Sequence, residues 1–327
     1  MSRLIFVPQY PTPMRYQSWW LSEFSKNFWK HYDNVLVLGI RSHFGIKDPL
    51  SSKSYDDNSW SEALNSDSKM FSPIDPAIKF ETEQIQEFMD MNIQKDDTLF
   101  CADISFPGFF SNVLYHKKME NAYCYCHASS LNKYDYFQPV RRLKFMNETA
   151  HSKLFKRVFV GSYYHANKLY KKGWKNLTVV GLPEPPYKTF KEEKVFDIIS
   201  VARPNIQKTT KKVEKFVEKK FGKIIRQPSN TWLEYYQFLS QAKILLISSK
   251  EDTFNYSIME AIMNNTIPLA PTRCSFPELL SRDYLYNSLE ELKEKISFYL
   301  SNYSKIPKLL NQNIIDKFYE NIIGNMI

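Results

Sequence analysis

Two successive runs of alternating strands and helices predict an α/β chain of two doubly wound domains facing a central cleft. Three observations carry this. Short apolar runs alternate with segments of helical spacing from Leu4 onward. The pattern stops at Gly181-Leu182-Pro183-Glu184-Pro185-Pro186, a rigid break, and then restarts. The length of 327 residues suits two domains of roughly 100–200 residues each. The expected units are two Rossmann-like domains, 1–185 and 186–327, with the last helix able to pack back on the first.

Leu4–Val7 reads as the first strand. Over 14–31, Tyr16, Trp19, Trp20, Phe24 and Phe28 form a stripe at helical spacing, expected to be core. Val35–Ile40 is a continuous apolar run, as a strand covered on both faces requires. Residues 41–76, rich in Ser, Asp and Pro, read as a long irregular insertion. Glu81–Met91 reads as a helix, and Thr98–Ala102 and Ala122–Cys126 as strands. Val140–Phe155 is a helix, Arg157–Gly161 a strand, Tyr163–Lys172 a helix and Leu177–Val180 a strand. After the break, strands are expected at Phe196–Val201, Lys223–Arg226, Lys243–Ile247 and Ile267–Ala270. The intervening helices are Thr209–Phe221, Trp232–Gln241 and Ile258–Met263. Two helices, about 288–303 and 306–322, close the chain.

Composition excludes several classes. At 43% hydrophobic and 16% aromatic residues the chain can build a core, which argues against disorder. No apolar run approaches the ~20 residues of a membrane span. The N-terminal apolar run, Leu4–Val7, is short and followed by prolines, unlike a signal peptide. Four cysteines in so long a chain read as reduced thiols of a cytoplasmic protein. No G-x-G-x-x-G and no G-x4-G-K-S/T occurs, which argues against a dinucleotide oxidoreductase and a P-loop enzyme. No Asp-x-Asp occurs. Charge is uneven: residues 101–186 carry 13 basic and 5 acidic side chains. Between Arg141 and Lys175 there are ten basic residues and one acid, Glu148. Such a stretch attracts phosphate, in nucleic acid or anionic lipid, or is a solvated face.

The most informative stretch is SKEDTFNYSIMEAIMNNTIPLAPTRCSFPELL, residues 249–280. A strand runs into a loop, a helix and a second strand. Asp252 and Glu260 lie eight apart. With Ser257 as N-cap, the amides of Tyr256, Ser257 and Ile258 would form an anion site at the helix N-terminus. Two carboxylates beside a phosphate cradle suit a sugar nucleotide. The alternative for Glu260 is a capping box, Ser257-x-x-Glu260.

This stretch resembles the retaining glycosyltransferases of the GT-B fold. Their order of an acid, seven residues, Glu, a turn, a Pro-containing strand and Pro-Glu is met by Asp252, Glu260, Asn264-Asn265, Pro268 and Pro277-Glu278. Thr253 and Asn255 stand where the family usually has glycine, and the first acid is Asp rather than Glu. The tail SFPELLSRDYLYNSLEELKEKI resembles transferases that mannosylate queuosine in tRNA. The resemblance implies a donor site of Arg203, Lys208, Glu260, Asn255, Tyr256 and Ser257. Arg203 and Lys208, five apart after the first strand of the second domain, would meet the donor diphosphate. Glu260 would hold ribose. Asp252 and His127, the latter in Tyr125-Cys126-His127-Ala128, would orient the sugar as catalytic residues. The alternative for His127 is a structural histidine. A metal site from Cys124, Cys126 and His127 lacks a second ligand pair, so no metal is expected.

The implied reaction is transfer of a sugar from a UDP- or GDP-linked donor to an acceptor hydroxyl, with retention, without a metal and with no further cofactor. The expected acceptor is a nucleic-acid base: a hydroxymethylated base in phage DNA, with the enzyme then in the bacterial host cytoplasm, or a modified tRNA base. Its contacts would be Arg141, Arg142, Lys171, Lys172 and Arg15. Two alternatives stay open. One is a cell-envelope glycan or glycolipid acceptor with peripheral membrane contact. The other is a protein of this fold that binds nucleic acid without turnover.

Overall fold

The computed structural model describes residues 3–12, 15–44, 74–134, 140–202, 208–227, 229 and 231–327. The first sheet has strands β1 (Arg3–Val7), β2 (Asn34–Val37), β3 (Thr98–Cys101), β4 (Ala122–Cys126), β5 (Arg157–Val160) and β6 (Leu177–Val179). Their order is β2-β1-β3-β4-β5-β6, and every pairing is parallel. Helices α1 (Tyr16–Phe28), α2 (Ile40–Phe44), α3 (Ile74–Asp90), α4 (Ser111–Lys117), α5 (Arg141–Ser152) and α6 (Tyr163–Tyr170) connect them. The second sheet is β10 (Leu285–Tyr286), β9 (Ile267–Pro271), β8 (Ala242–Leu246) and β7 (Phe196–Ile199) in that order, again all parallel. It carries α7 (Lys211–Phe221), α8 (Trp232–Ser240), α9 (Tyr256–Met263), α10 (Phe276–Leu279) and α11 (Leu289–Ser301). The chain closes with α12 (Gln312–Asp316) and α13 (Phe318–Met326).

The continuous apolar runs are strands for the reason their composition implies: β1, β3 and β4 are buried along nearly their whole length between helical layers. The outer faces of the two sheets have separate cores. The inner faces share one, running from Leu4 and Phe24 through Tyr125 to Ile258, Phe318 and Met326. The C-terminal helix does return to the first sheet. Phe318 packs against Phe24 with centroids 5.6 Å apart, and the Tyr123 hydroxyl donates to the Met326 carbonyl at 3.3 Å.

Several boundaries differ from the sequence reading. The strand expected at Val35–Ile40 stops at Val37. Gly39 turns the chain at φ +84°, where a Cβ would lie 2.7 Å from the Phe80 ring. The insertion read over 41–76 is entered by α2 and left by α3, which starts at Ile74; residues 45–73 fall outside the described residues. Lys223–Arg226 is not a strand. Only Ile225 bridges to Ile199, while Arg226 swings to Glu214 and Glu218 of α7. The single helix expected over 306–322 is two, α12 from Gln312 and α13 from Phe318, and Pro307 disfavours helical backbone at the residue before it.

Candidate functional site

The C-terminal ends of parallel strands leave backbone groups and loops free to meet a ligand. Here those ends converge from both sheets. β4 ends at Cys126 and delivers His127; β7 delivers Val201 and Ala202; β8 leads into Ser248–Asn255. Between them lies a cavity of about 290 Å³. From the first half it is lined by Arg15, Tyr16, Trp19 and His127. From the second half it is lined by Lys208, Ser249, Asn255, Tyr256, Ser257 and Glu260, with Trp232 and Tyr235 of α8.

The α9 end of the cavity is built locally. Asn255 is the N-cap: its side-chain oxygen accepts from the Ile258 amide at 3.2 Å. This corrects the expectation that Ser257 caps the helix, and the Ser257-x-x-Glu260 capping box does not form. Asn255 wins because its extended backbone lies one residue ahead of the helix, whereas Ser257 is already inside it. Glu260 is therefore spared a capping duty. It is 4% exposed and its Oε2 accepts from the Tyr235 hydroxyl at 2.8 Å. Burial raises its pKa to about 7, against the lowering effect of the tyrosine hydroxyls.

Asp252 does not line the cavity. It is 3% exposed, and its Oδ2 accepts from Lys208 Nζ at 2.7 Å and from Asn255 Nδ2 at 2.8 Å. One carboxylate thus fixes both the cation at the cavity wall and the cap of α9. Arg203 lies outside the described residues.

His127 faces the cavity with its ring 4.1 Å from Tyr16 and 5.8 Å from Trp20. Burial drives its pKa down to about 3, with Lys208 and His165 adding to the effect, so the imidazole is neutral at ordinary pH. Its Nδ1 has no hydrogen-bond partner among the described residues. Its carbonyl accepts from Thr253 Oγ1 at 2.9 Å, which ties β4 to the loop after β8.

Further bonds join the two halves around the cavity. Lys168 of α6 meets Glu251 at 2.6 Å. Glu278 of α10 accepts the Tyr163 and Tyr164 amides at 2.7 and 2.6 Å, the exposed donors of the first turn of α6. The Trp20 indole donates to the Tyr256 hydroxyl at 2.8 Å.

Of the basic residues read as acceptor contacts, Arg15 lines the cavity. The other four do not. Arg141 and Arg142 open α5, and Lys171 and Lys172 follow α6 on the exposed surface. Val140, Leu143 and Met146 stand exposed beside the two arginines. Among the described residues no group of three His, Cys, Asp or Glu could hold a metal ion. No described helix is long and apolar enough to cross a membrane.

Two features escaped the sequence reading. The α1 stripe was expected to be core; Trp19, Trp20, Phe24 and Phe28 are, and Tyr16 packs against them, but Tyr16 and Trp19 also line the cavity. Trp232 and Tyr235 were read only as helix. Their spacing of three places both on one face, a signal too common to single them out.

No family model matches the chain. A stretch of 123 residues is 24% identical to a tRNA-queuosine alpha-mannosyltransferase of Drosophila melanogaster, covering 38% of this chain and 31% of that protein. Three solved structures superpose on nearly the whole chain. Sucrose-phosphate synthase from Thermosynechococcus elongatus does so with a TM-score of 0.63 at 11% identity, covering 100% of this chain and 97% of that one. The apo lipopolysaccharide outer core galactosyltransferase WaaB gives 0.61 at 12%, covering 100% and 99%. Anabaena Alr3699/HepE in complex with UDP-glucose gives 0.58 at 12%, covering 98% and 99%. At these identities the likeness is one of fold. The chain has the GT-B glycosyltransferase fold, two parallel-sheet α/β domains flanking a cleft.

Proposed function

We propose that the protein is a retaining, metal-independent glycosyltransferase that moves a sugar from a UDP- or GDP-linked donor to a hydroxyl on a nucleic-acid base. The observation that carries this is the cavity itself. A buried carboxylate stands at one wall, a helix N-terminus and a lysine at another, and a neutral histidine faces them from the other sheet.

In this reading residues 186–327 hold the donor and 1–185 present the acceptor. Lys208, with Arg15 across the cavity and Arg203, meets the diphosphate, whose negative charge grows as the sugar–phosphate bond breaks. These cations supply what a metal would otherwise supply. The Tyr256 and Ser257 amides add to them. Glu260 accepts from ribose hydroxyls. His127, uncharged, hydrogen-bonds the sugar without adding a positive charge beside the forming oxocarbenium. Asp252 acts one step back: it positions Lys208 and Asn255 rather than touching the sugar. The leaving phosphate takes the acceptor proton on the face where it departs, which gives retention.

The nucleic-acid acceptor rests on the ten-to-one charge excess between Arg141 and Lys175 and on the name of the partly matching mannosyltransferase. One observation favours a second reading, a lipid-linked envelope acceptor: the exposed apolar residues beside Arg141 and Arg142 suit an anionic bilayer. The test is release of UDP or GDP from a panel of nucleotide sugars. It is run with excess EDTA and with tRNA, hydroxymethylated DNA or anionic liposomes carrying glycan lipids. Release stimulated by nucleic acid supports the first reading. Release stimulated only by liposomes replaces it with the second, and no release with any donor removes both.

A further inference from the structure

The donor site as described leaves Tyr235 without a part. It does not belong to the loop that carries Asp252 or to α9, which carries Glu260, but enters from α8. Its hydroxyl donates to Glu260 Oε2 at 2.8 Å. The Ser257 side chain also reaches the Tyr235 oxygen. Tyr236 approaches the same carboxylate, yet its hydroxyl makes no hydrogen bond of normal geometry. The Tyr235 ring is held edge-on by Trp232, with centroids 5.8 Å apart, and Trp232 is stacked on Tyr187 at 4.8 Å. Turning the phenol away from Glu260 would break these contacts, so the bond fixes the carboxylate rotamer at the cavity wall.

A buried carboxylate with one oxygen committed and fixed in direction can accept from a sugar hydroxyl only in a narrow geometry. We propose that Tyr235 is the positioning residue that makes the donor site selective for ribonucleotides: it pins Glu260 so that the other carboxylate oxygen faces the ribose hydroxyls of the donor. The inference rests on the assignment of this cavity to a nucleotide sugar. It extends that assignment from a carboxylate that can bind ribose to a pair that discriminates ribose from deoxyribose. The discrimination follows from burial. A ligand without the hydroxyl leaves the carboxylate oxygen unpaired away from water, and sites built on such pairs reject the deficient analogue strongly.

The experiment measures binding of UDP and GDP, each beside its 2′-deoxy counterpart, to wild type, Tyr235→Phe, Ser257→Ala and Glu260→Gln by titration calorimetry. Wild type should prefer the ribose form of the bound nucleotide by about ten-fold or more. Tyr235→Phe, which loses only an oxygen, should bind the deoxy form within about two-fold of wild type while the ribose form weakens about ten-fold. Ser257→Ala keeps the tyrosine and its bond to Glu260 but removes a polar neighbour of its hydroxyl, and should lower the preference by a smaller factor. Inorganic pyrophosphate should bind all variants alike, which a merely unfolded protein would not do. A preference that persists unchanged in both Tyr235→Phe and Ser257→Ala, while Glu260→Gln abolishes it, overturns the role of Tyr235 and leaves the donor site standing. Failure of wild type to bind either diphosphate overturns the donor site and this inference together.

Discussion

The two halves of the molecule bury their carboxylates for different purposes. In the first half, Glu81 accepts the amides of Gly108, Phe109 and Phe110 at 3.0–3.3 Å. Glu148 accepts from the Ser105 hydroxyl and from the Ser130 amide and hydroxyl. Asp103 accepts from the Ser105 amide and the Gln9 side chain. These acids stand in for carbonyls and pin the loops after β3 and β4. In the second half, Glu260 and Asp252 are met by side chains: Tyr235, Lys208 and Asn255. Burial raises the pKa of Glu81, Asp103, Glu148 and Glu260 alike. The shift therefore does not separate scaffold from site; place does, since Glu260 lines the cavity and Glu81, Asp103 and Glu148 do not. Glu81 has both oxygens on loop amides, away from the cavity. A carboxylate held by a side chain at a cavity wall can share its second oxygen.

The largest effect that could break this contrast is on stability. Glu81→Ala would leave three loop amides without an acceptor and should cost about 3 kcal/mol or more in urea unfolding. Glu260→Gln should cost under about 1 kcal/mol, because the amide keeps the volume and an acceptor for Tyr235. Equal losses would erase the distinction between scaffold acid and site acid.

Next in size is the loss of the cation that Asp252 holds. Lys208→Ala should weaken nucleoside diphosphate binding about 100-fold while changing nucleoside binding less than about two-fold, since the proposed role of the ammonium is to meet phosphate and not the base. Asp252→Asn should follow the same pattern at about ten-fold, acting through Lys208. If nucleoside and diphosphate lose affinity together in calorimetry, the lysine does not serve the phosphates.

A third effect is a proton. Asp103 is held up to about 8 and Glu260 to about 7, both by burial. A carboxyl raised above its unfolded value of about 4 contributes stability that is full below pH 4 and lost as pH climbs through the folded pKa. Both acids should weaken the fold across that window, and Asp103→Asn should flatten the slope. They should part when nucleotide binds. In the proposed donor site ribose hydroxyls donate to the ionised form of Glu260, so binding below pH 7 should release up to about one proton and weaken up to about ten-fold per pH unit. Calorimetry in buffers of different ionisation enthalpy should show this release in wild type and Asp103→Asn, and none in Glu260→Gln. Release that survives Glu260→Gln would place the titrating group elsewhere.

Much of this was legible in the chain because periodicity and covalent order survive folding. The β/α alternation, the break at 181–186 and the Asp252–Glu260 spacing depend on local pattern, and His127, which lines the cavity, was singled out because it ends an apolar strand. Non-local choices were not legible. Whether Ser257 or Asn255 capped α9 turned on which residue lay outside the helix by one position. Asp252 could not be moved from the sugar to Lys208 without knowing that β7 and β8 are neighbours, which brings residues 44 apart in sequence to 2.7 Å. Tyr235 met Glu260 only through the packing of α8 on α9.

The smallest expected effect on the fold is also the one that bears on the acceptor. Arg141, Arg142, Lys171 and Lys172 do not line the cavity, and among the described residues no hydrogen bond or ion pair at the cavity passes through them. Replacing all four with Gln should leave the melting temperature and donor affinity unchanged. If the acceptor is nucleic acid, binding at low salt should fall. The slope of log affinity against log salt should drop by about one unit for each phosphate contact removed. Arg141 is half-buried and Arg142 exposed, so the two do not face one duplex equally, and the drop should be less than four. The apolar neighbours supply the contrast. Leu143→Ser with Met146→Ser removes no charge and should leave the salt slope alone, whereas a bilayer that takes up these side chains would lose affinity with them. Nucleic-acid binding that is untouched by the four-residue change at every salt concentration would detach this face from the acceptor. Liposome binding lost in both variants would give the face to a membrane.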